Sequence, residues 1–348
     1  MLQPAAIFLA ATLFFVGAIA QTAAKPPVQG PAYSTREEAM QLADDIAARR
    51  DLNRDWVRET IGQARKMPQA IRFITPAPKG TAKNWRIYRT RYIDSYRIQQ
   101  GVKFWRANRE LLARAETEYG VPAEIIVGII GVETVYGEQT GTFRVIDALA
   151  TLTFDFPEAH PRAKERREFF QGELEQYLSL TSRTSTDPMS LRGSFAGAMG
   201  VPQFMPSSWV KYAIDFDGDG KVDLFNSSAD VIGSVANYFK AFNWTPGMPT
   251  HYPVTFDKSK LDLDTLMAPD ILPTFSVAGF TAKGAVLEGD ALKHAGPLAL
   301  IELQNAGAEP SYVAGTENFY AITRYNWSSY YAMAVIELGR EIAAALKR

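Results

Sequence analysis

The 348-residue sequence predicts an α+β chain that is predominantly α-helical, with one small β-rich region. Two observations predict this class. Helical apolar periodicity, punctuated by residues that open and close helices, recurs over most of residues 34–241 and again over 328–346. Between Pro246 and about Ala314 the texture changes to Pro, Gly, Thr and Val with short alternating runs. With 47% apolar and 22% charged residues, the composition is that of a folded globular body, not a disordered, collagen-like or coiled-coil chain. The length allows two or three domains with sizeable cores.

In chain order, Pro4 to Ala20 is uncharged and almost wholly apolar, and it ends Ala18-Ile19-Ala20 before Gln21, a small-x-small signal-peptidase pattern. Residues 1–20 therefore read as a signal peptide. The run also reaches the low end of the ~17–25 residues that span a bilayer, so retention as an anchor stays open. No Cys follows it, which excludes a lipoprotein anchor. Residues 21–32, rich in Ala, Pro and Gly, read as a linker. Ser34-Thr35-Arg36-Glu37 is a capping-box pattern opening a helix through Leu42, Ile46 and Ala47. A second helix starts near Asp55, Pro76-Ala77-Pro78-Lys79-Gly80 breaks the pattern, and helices resume over 84–119.

Val121-Pro122 opens the next helix, with Pro122 expected in its first turn. Its body, Ile125 to Glu133, is apolar nearly all round, as in a helix buried at the centre of a domain. Helical pattern continues over 144–152, where Asp147 is expected as a cap, then over 165–182, 206–213 and 230–241. Thr274-Phe275-Ser276-Val277 is an alternating run expected as strand, and a last helix covers about Ser328 to Leu346. These elements divide the chain into an α-helical domain at 33–115, a core at 116–245, a small β-rich domain at 246–318 and a segment at 319–348 whose helix returns to the core.

Zero cysteines remove thiol nucleophiles, thiolate metal sites and disulfides, and His160, His251 and His294 are too scattered to make a zinc pair. Chemistry must come from carboxylates, hydroxyls, amides or an oxygen-bound metal. The net charge of −1 hides an asymmetry: residues 33–115 carry 18 Lys and Arg against 9 Asp and Glu. A basic third suits an anionic polymer, nucleic acid or cell wall, and equally suits a solvated Arg-rich helical surface.

Glu133 is the outlier, an acid where the surrounding sequence predicts burial. Desolvation raises a carboxyl pKa and leaves it protonated as a general acid near neutrality, whereas a Glu at a helix end turned to water has no such role. Most glycosidases need a second carboxylate. Asp147 and Asp155 are the nearby acids, and nothing in the sequence sets either opposite Glu133. In the Gly-rich run 193–208, small residues permit close approach of a ligand, and Ser194 and Gln203 offer hydrogen bonds that sugars accept. No Lys-Ser/Thr follows the glycines, which disfavours a phosphate cradle. Asp215, Asp217 and Asp219 stand at positions 1, 3 and 5 of an EF-hand-like loop, 215–230, with Gly220 at 6 and the Lys221 carbonyl at 7. Position 12 is Asn226, and Asp230 is placed to close a longer loop.

Together, Val132-Glu133-Thr134-Val135-Tyr136-Gly137, the run GSFAGAMGVPQFMPSSW at 193–209, the Asp-rich loop flowing into IGSVANYF at 232–239, and TRYNWSSYYAMAV at 323–335 resemble the membrane-bound lytic murein transglycosylase B family. The resemblance spans roughly residues 35–346. It implies a lysozyme-like core at 116–245, and cleavage between N-acetylmuramic acid and N-acetylglucosamine in peptidoglycan with formation of 1,6-anhydromuramic acid. By motif, it makes Glu133 the catalytic acid and then base, and lines the glycan cleft with Ser194, Gln203, Asn237, Tyr238, Tyr325, Asn326, Tyr331 and Tyr88. It implies structural calcium held by Asp215, Asp217, Asp219, the Lys221 carbonyl and Asp230, and no organic cofactor. The implied partners are peptidoglycan glycan strands, with cell-wall synthesis or remodelling proteins and no nucleic acid; a monomer is expected, and the absence of a lipobox Cys argues for a soluble periplasmic form despite the family's name.

Two departures stand out. The family's Tyr-Gly before the glutamine reads Val201-Pro202, and the segment after Phe156-Pro157 does not match the family's paired arginines, which leaves Arg166 and Arg167 unassigned. A hydrolytic muramidase, with water as acceptor, and a non-catalytic calcium-stabilised glycan-binding protein are the competing readings. An intact Glu133 motif speaks against the second.

Overall fold

The computed structural model describes residues 29–76 and 83–348. The expected signal peptide and most of the expected linker lie outside the described residues. Three helices come first: α1 (Glu37–Arg50), α2 (Arg54–Gln63) and α3 (Pro68–Ile74). Four more lead to the apolar helix: α4 (Trp85–Thr90), α5 (Ser95–Ala107), α6 (Arg109–Tyr119) and α7 (Ala123–Thr134). After β1 (Phe143–Arg144) come α8 (Val145–Phe154), α9 (Ala163–Arg183), β2 (Arg192–Gly193), α10 (Pro206–Tyr212) and α11 (Ser228–Ala241). The β-rich region holds β3 (His251–Pro253), β4 (Thr255–Phe256), α12 (Leu263–Met267), α13 (Val277–Ala282), β5 (Ala285–Val286), β6 (Ala299–Asn305) and β7 (Ala308–Gly315). The chain closes with α14 (Glu317–Thr323) and α15 (Ser329–Leu346).

Apolar side chains gather into three clusters. The first joins α1–α3 to α8, α9 and residues 195–205. The second is built around α7 and takes in α4–α6, α11, α14 and α15. The third lies wholly in the β-rich region, around Leu266, Phe280 and Leu298. Residues 33–115 thus do not share one core: 33–74 pack in the first cluster and 85–115 in the second. Periodicity shows that each helix has an apolar stripe but not which neighbour covers it, so the packing division falls at the Pro-rich break and not at 115.

α7 is buried at ten of its twelve residues, as its uniform apolarity demands. It lies against α15 at very short range. A Cβ added to Gly128 would stand 2.3 Å from the Val335 carbonyl oxygen, and one on Gly339 would stand 2.1 Å from the Glu124 carbonyl oxygen.

Several local expectations are corrected. The capping box at 34–37 does not form: α1 starts at Glu37 behind Arg36, whose guanidinium instead binds Glu38 and Asp155. Pro122 is the N-cap residue of α7, not part of its first turn. Asp147 is no N-cap either; from the first turn of α8 its carboxylate accepts the Arg65 N–H at 2.8 Å and pairs with Arg144. Thr274–Val277 is not a strand: Phe275 makes a single bridge to Leu298, and Ser276 caps α13 by accepting the Gly279 N–H. The β-rich region is a three-stranded antiparallel sheet in the order β3-β7-β6 plus a β4-β5 pair, interleaved with short helices. Among the described residues no helix is long and apolar enough to cross a membrane.

Candidate active site

The end of α7 is held in an unusual backbone. Val135 and Tyr136 both adopt left-handed conformations, with φ of 51° and 59°. For a β-branched residue this is strained, and it persists only where the surroundings over-determine it. They do so here: Thr134 donates its hydroxyl to the Val201 carbonyl at 2.8 Å and accepts the Gly137 N–H at 3.1 Å. From the α5 side, Arg97 donates to the Gly131 carbonyl at 3.0 Å.

Glu133 stands in this last turn, half-buried, and accepts a 2.5 Å hydrogen bond from the Tyr331 hydroxyl on α15. Burial pushes its carboxyl up from 4.5 to about 7, against the Tyr331 hydrogen bond, which favours the ionised form. Among the described residues no second carboxylate is a cause of this shift. Five tyrosines, Tyr88, Tyr92, Tyr238, Tyr325 and Tyr331, have phenols pushed up by burial and additionally by the nearby Glu133 charge. The acid therefore sits in an aromatic cage drawn from α4 and the turn after it, α11, α15 and the loop between α14 and α15.

The remaining predicted residues divide into two groups. Tyr325 donates to the Pro202 carbonyl at 2.6 Å and packs its ring 4.7 Å from that of Tyr238, whose hydroxyl donates to the Arg324 carbonyl at 2.6 Å. Gln203, with φ of 52°, donates to the carbonyls of Thr140 and Gly200. Asn326 follows Tyr325 and is partly exposed. Ser194 and Asn237 brace backbone instead: the Ser194 hydroxyl accepts the Ala196 and Ala198 N–H groups, and the Asn237 amide donates to the Tyr212 carbonyl. Val201-Pro202 keeps a structural part, because its two carbonyls tie Thr134 to Tyr325.

The neighbouring acids Asp147 and Asp155 are engaged elsewhere. Asp147 pairs with Arg144, and Asp155 with Arg36 and Lys66. Arg166 is buried with its guanidinium 5.4 Å from the rings of Phe169 and Phe170, and Arg167 pairs with Glu158. A cavity of about 650 Å³ between α9, α10 and the Asp-rich loop, lined by Thr184, Trp209, Lys221 and Phe225, holds none of the residues around Glu133. Tyr92 and Arg97 belong to the site and escaped the sequence reading; an aromatic and a cation at a helix boundary carry no signal distinguishing them from core and surface.

In the Asp-rich loop, carboxylate oxygens of Asp215, Asp217 and Asp230 lie within 4.8 Å of one another. Asp215 accepts the Gly218 and Gly220 N–H groups, and Asp230 accepts those of Phe216 and Asp223, which ties the loop to α11. Asp219 is not drawn into this triad; its carboxylate accepts the Lys221 N–H at 2.8 Å. Three converging carboxylates are a donor set for a hard cation.

Residues 34–340 match the family model described as the transglycosylase SLT domain. The chain belongs to this family. The SLT-domain chain is 37% identical over 337 residues to membrane-bound lytic murein transglycosylase B of Escherichia coli strain K12, covering 91% of this chain and 85% of that one. Its structure superposes on the Escherichia coli lytic transglycosylase SLT35 in complex with bulgecin A with a TM-score of 0.80 at 38% identity, covering 92% of this chain and 96% of that one. A second structure of SLT35, in complex with calcium, gives 0.77 at 39% identity over 92% and 96%. The SLT-domain fold of this chain is accordingly the predominantly helical, lysozyme-like one.

Proposed function

We infer that this chain is a lytic murein transglycosylase, a lyase that cleaves the β-1,4 bond between N-acetylmuramic acid and N-acetylglucosamine in peptidoglycan and leaves 1,6-anhydromuramic ends. Family membership and the named relatives support the activity. The observation that carries the mechanism is Glu133, caged by tyrosines, with its carboxyl pushed up to about 7 by burial and no second carboxylate acting on it among the described residues.

Protonated Glu133 donates to the leaving glycosidic oxygen as positive charge builds on the muramic ring, and the 2-acetamido group of the substrate stabilises that charge. Glu133, now anionic and oriented by Tyr331, then accepts the proton of the muramic 6-hydroxyl as this oxygen attacks the anomeric carbon. The attacking group is tethered to the reacting ring, so its effective concentration exceeds that of water. Tyr88, Gln203, Tyr325, Asn326 and Tyr331 line the glycan cleft, Tyr238 backs Tyr325, and Ser194 and Asn237 shape the loops that form the walls. Mass analysis of digested sacculi is expected to give muropeptides one water lighter than lysozyme-type products and inert to borohydride. E133Q should lose at least the ~10²–10⁴-fold typical of general acid–base assistance. Mainly reducible ends would make the enzyme a hydrolase, and near-normal turnover by E133Q would remove Glu133 from the chemistry.

Asp215, Asp217 and Asp230 would hold calcium as a structural ion, with Asp219 and the Lys221 carbonyl completing the set; the calcium complex of SLT35 supports this reading. The ion would neutralise mutually repelling carboxylates and pin the loop to α11. Melting temperature should rise with calcium and fall with chelator by mass action, and D230N should abolish the response. Indifference to both would refute the site. Residues 1–20, read as a signal peptide or a retained anchor, would direct the chain to the periplasm, where peptidoglycan lies.

A further inference from the structure

Resting on that reading of the substrate, we propose that Arg91 binds a carboxylate carried by the muramic residue at the mouth of the cleft, and so makes the enzyme discriminate muramic glycan from uncharged glycan of the same linkage. Arg91 is the C-cap residue of α4, between the cage tyrosines Tyr88 and Tyr92, whose rings lie 5.1 Å apart. Its backbone is fixed to the catalytic helix: Arg97 donates to the Arg91 carbonyl at 2.8 Å and, through its Nε, to the Gly131 carbonyl at 3.0 Å, two residues before Glu133.

Arg97 and Arg91 are adjacent cations with opposite circumstances. Arg97 is nearly buried and paired with Asp94, both of whose oxygens it occupies. Arg91 is exposed and, among the described residues, makes no ion pair. Its charge is nevertheless felt at the phenols of both Tyr88 and Tyr92, which also feel Glu133. A guanidinium carried between two of the tyrosines that feel Glu133, open to solvent and, among the described residues, without an internal anion, is matched to a carboxylate, which it can take in a bidentate geometry. Muramic acid supplies one from either of two sources, the lactyl group when bare or the attached peptide when substituted.

The test compares R91A with the parent enzyme on peptide-bearing glycan strands and on strands stripped of peptide by an amidase. Binding of an uncharged N-acetylglucosamine oligomer is measured by calorimetry. R91A should raise KM roughly tenfold on at least one muramic substrate with kcat changed less than about twofold, and leave oligomer binding unchanged. A loss confined to peptide-bearing strands assigns the peptide carboxylate, and a loss on stripped strands the lactyl group. R91K, which keeps the charge but not the fork, should recover part of the effect. R86A, an exposed cation on the same helix with no tie to the cage, should match the parent. Unchanged KM on both substrates, an equal loss in R86A, or an equal loss of oligomer binding overturns the proposal. Failure of the parent enzyme to cut peptidoglycan would instead overturn the function on which it rests.

Discussion

A carboxyl in water is ionised at neutral pH, and Glu133 departs from that because the last turn of α7 removes it from solvent faster than Tyr331 compensates. Two readouts should report the same group. The active form of the free enzyme needs the proton, so kcat/KM should fall as pH rises through about 7. Y331F removes a hydrogen bond that favours the anion, so this limb should move to higher pH even as the rate drops. Stability gives the second readout. A carboxyl whose folded pKa is raised from 4.5 to about 7 disfavours folding progressively across that interval and by a constant amount above it. E133Q lacks this penalty, so its stability relative to the parent should grow between pH 4 and 8 by up to about 3 kcal/mol. A pH-independent difference would mean that Glu133 titrates normally. The residues of the site were unequally legible for a related reason. Glu133 announced itself as a charge inside an apolar helix. Tyr92 and Arg97 did not, because their relation to Glu133 is created by how α5 and the turn before it pack against α7, which local sequence does not encode.

Among the elements, α7 and α15 were read nearly to the residue, since a helix buried all round and a helix capped by Ser328 both leave strong local patterns. Weaker patterns gave way to tertiary contacts. Ser34 could have capped α1, but Arg36 is drawn to Asp155 on the far side of the first cluster. Ser276, inside an apparent strand, found its partner in a helix turn. What no pattern foretold is how closely α7 and α15 approach, although that contact sets Tyr331 against Glu133. G128A puts a methyl against the backbone of Val335 and not against a movable side chain, so the helices must separate. Overpacking of this kind typically costs about 1–3 kcal/mol. The expected outcome is a lower melting temperature together with loss of activity, because sub-ångström displacement of Glu133 from Tyr331 is enough to disturb proton transfer. G172A on α9, where an added Cβ meets nothing within 4 Å, is the matched control and should be neutral or slightly stabilising. Equal behaviour of the two variants would show that the α7–α15 contact tolerates expansion.

For the molecule as a whole, the three clusters carry different duties and different amounts of buried surface. The second joins α7, α11 and α15, which supply Glu133, Tyr238 and Tyr331, while the first packs α8 and α9 against Met199 and Met205 of the loop whose Val201 reaches the second and takes the Thr134 hydroxyl. The third contains only eight buried apolar residues, and its β4-β5 pair is two residues long on each side. Small cores bury a smaller fraction of their surface and open locally at lower cost than the whole fold unfolds. Amides of β5, α12 and α13 are therefore expected to exchange with solvent deuterium well before those of α7 and α15. β6 is a special case, since Leu300 faces the third cluster while Ile301 and Leu303 belong to the second, and Tyr330 of α15 accepts the Gln304 N–H at 2.7 Å. Exchange along β6 should track the slow class, making this strand the rigid seam between the β-rich region and the catalytic body. Uniform protection across all three clusters would mean that they unfold as one unit, and fast exchange in β6 would place the seam elsewhere.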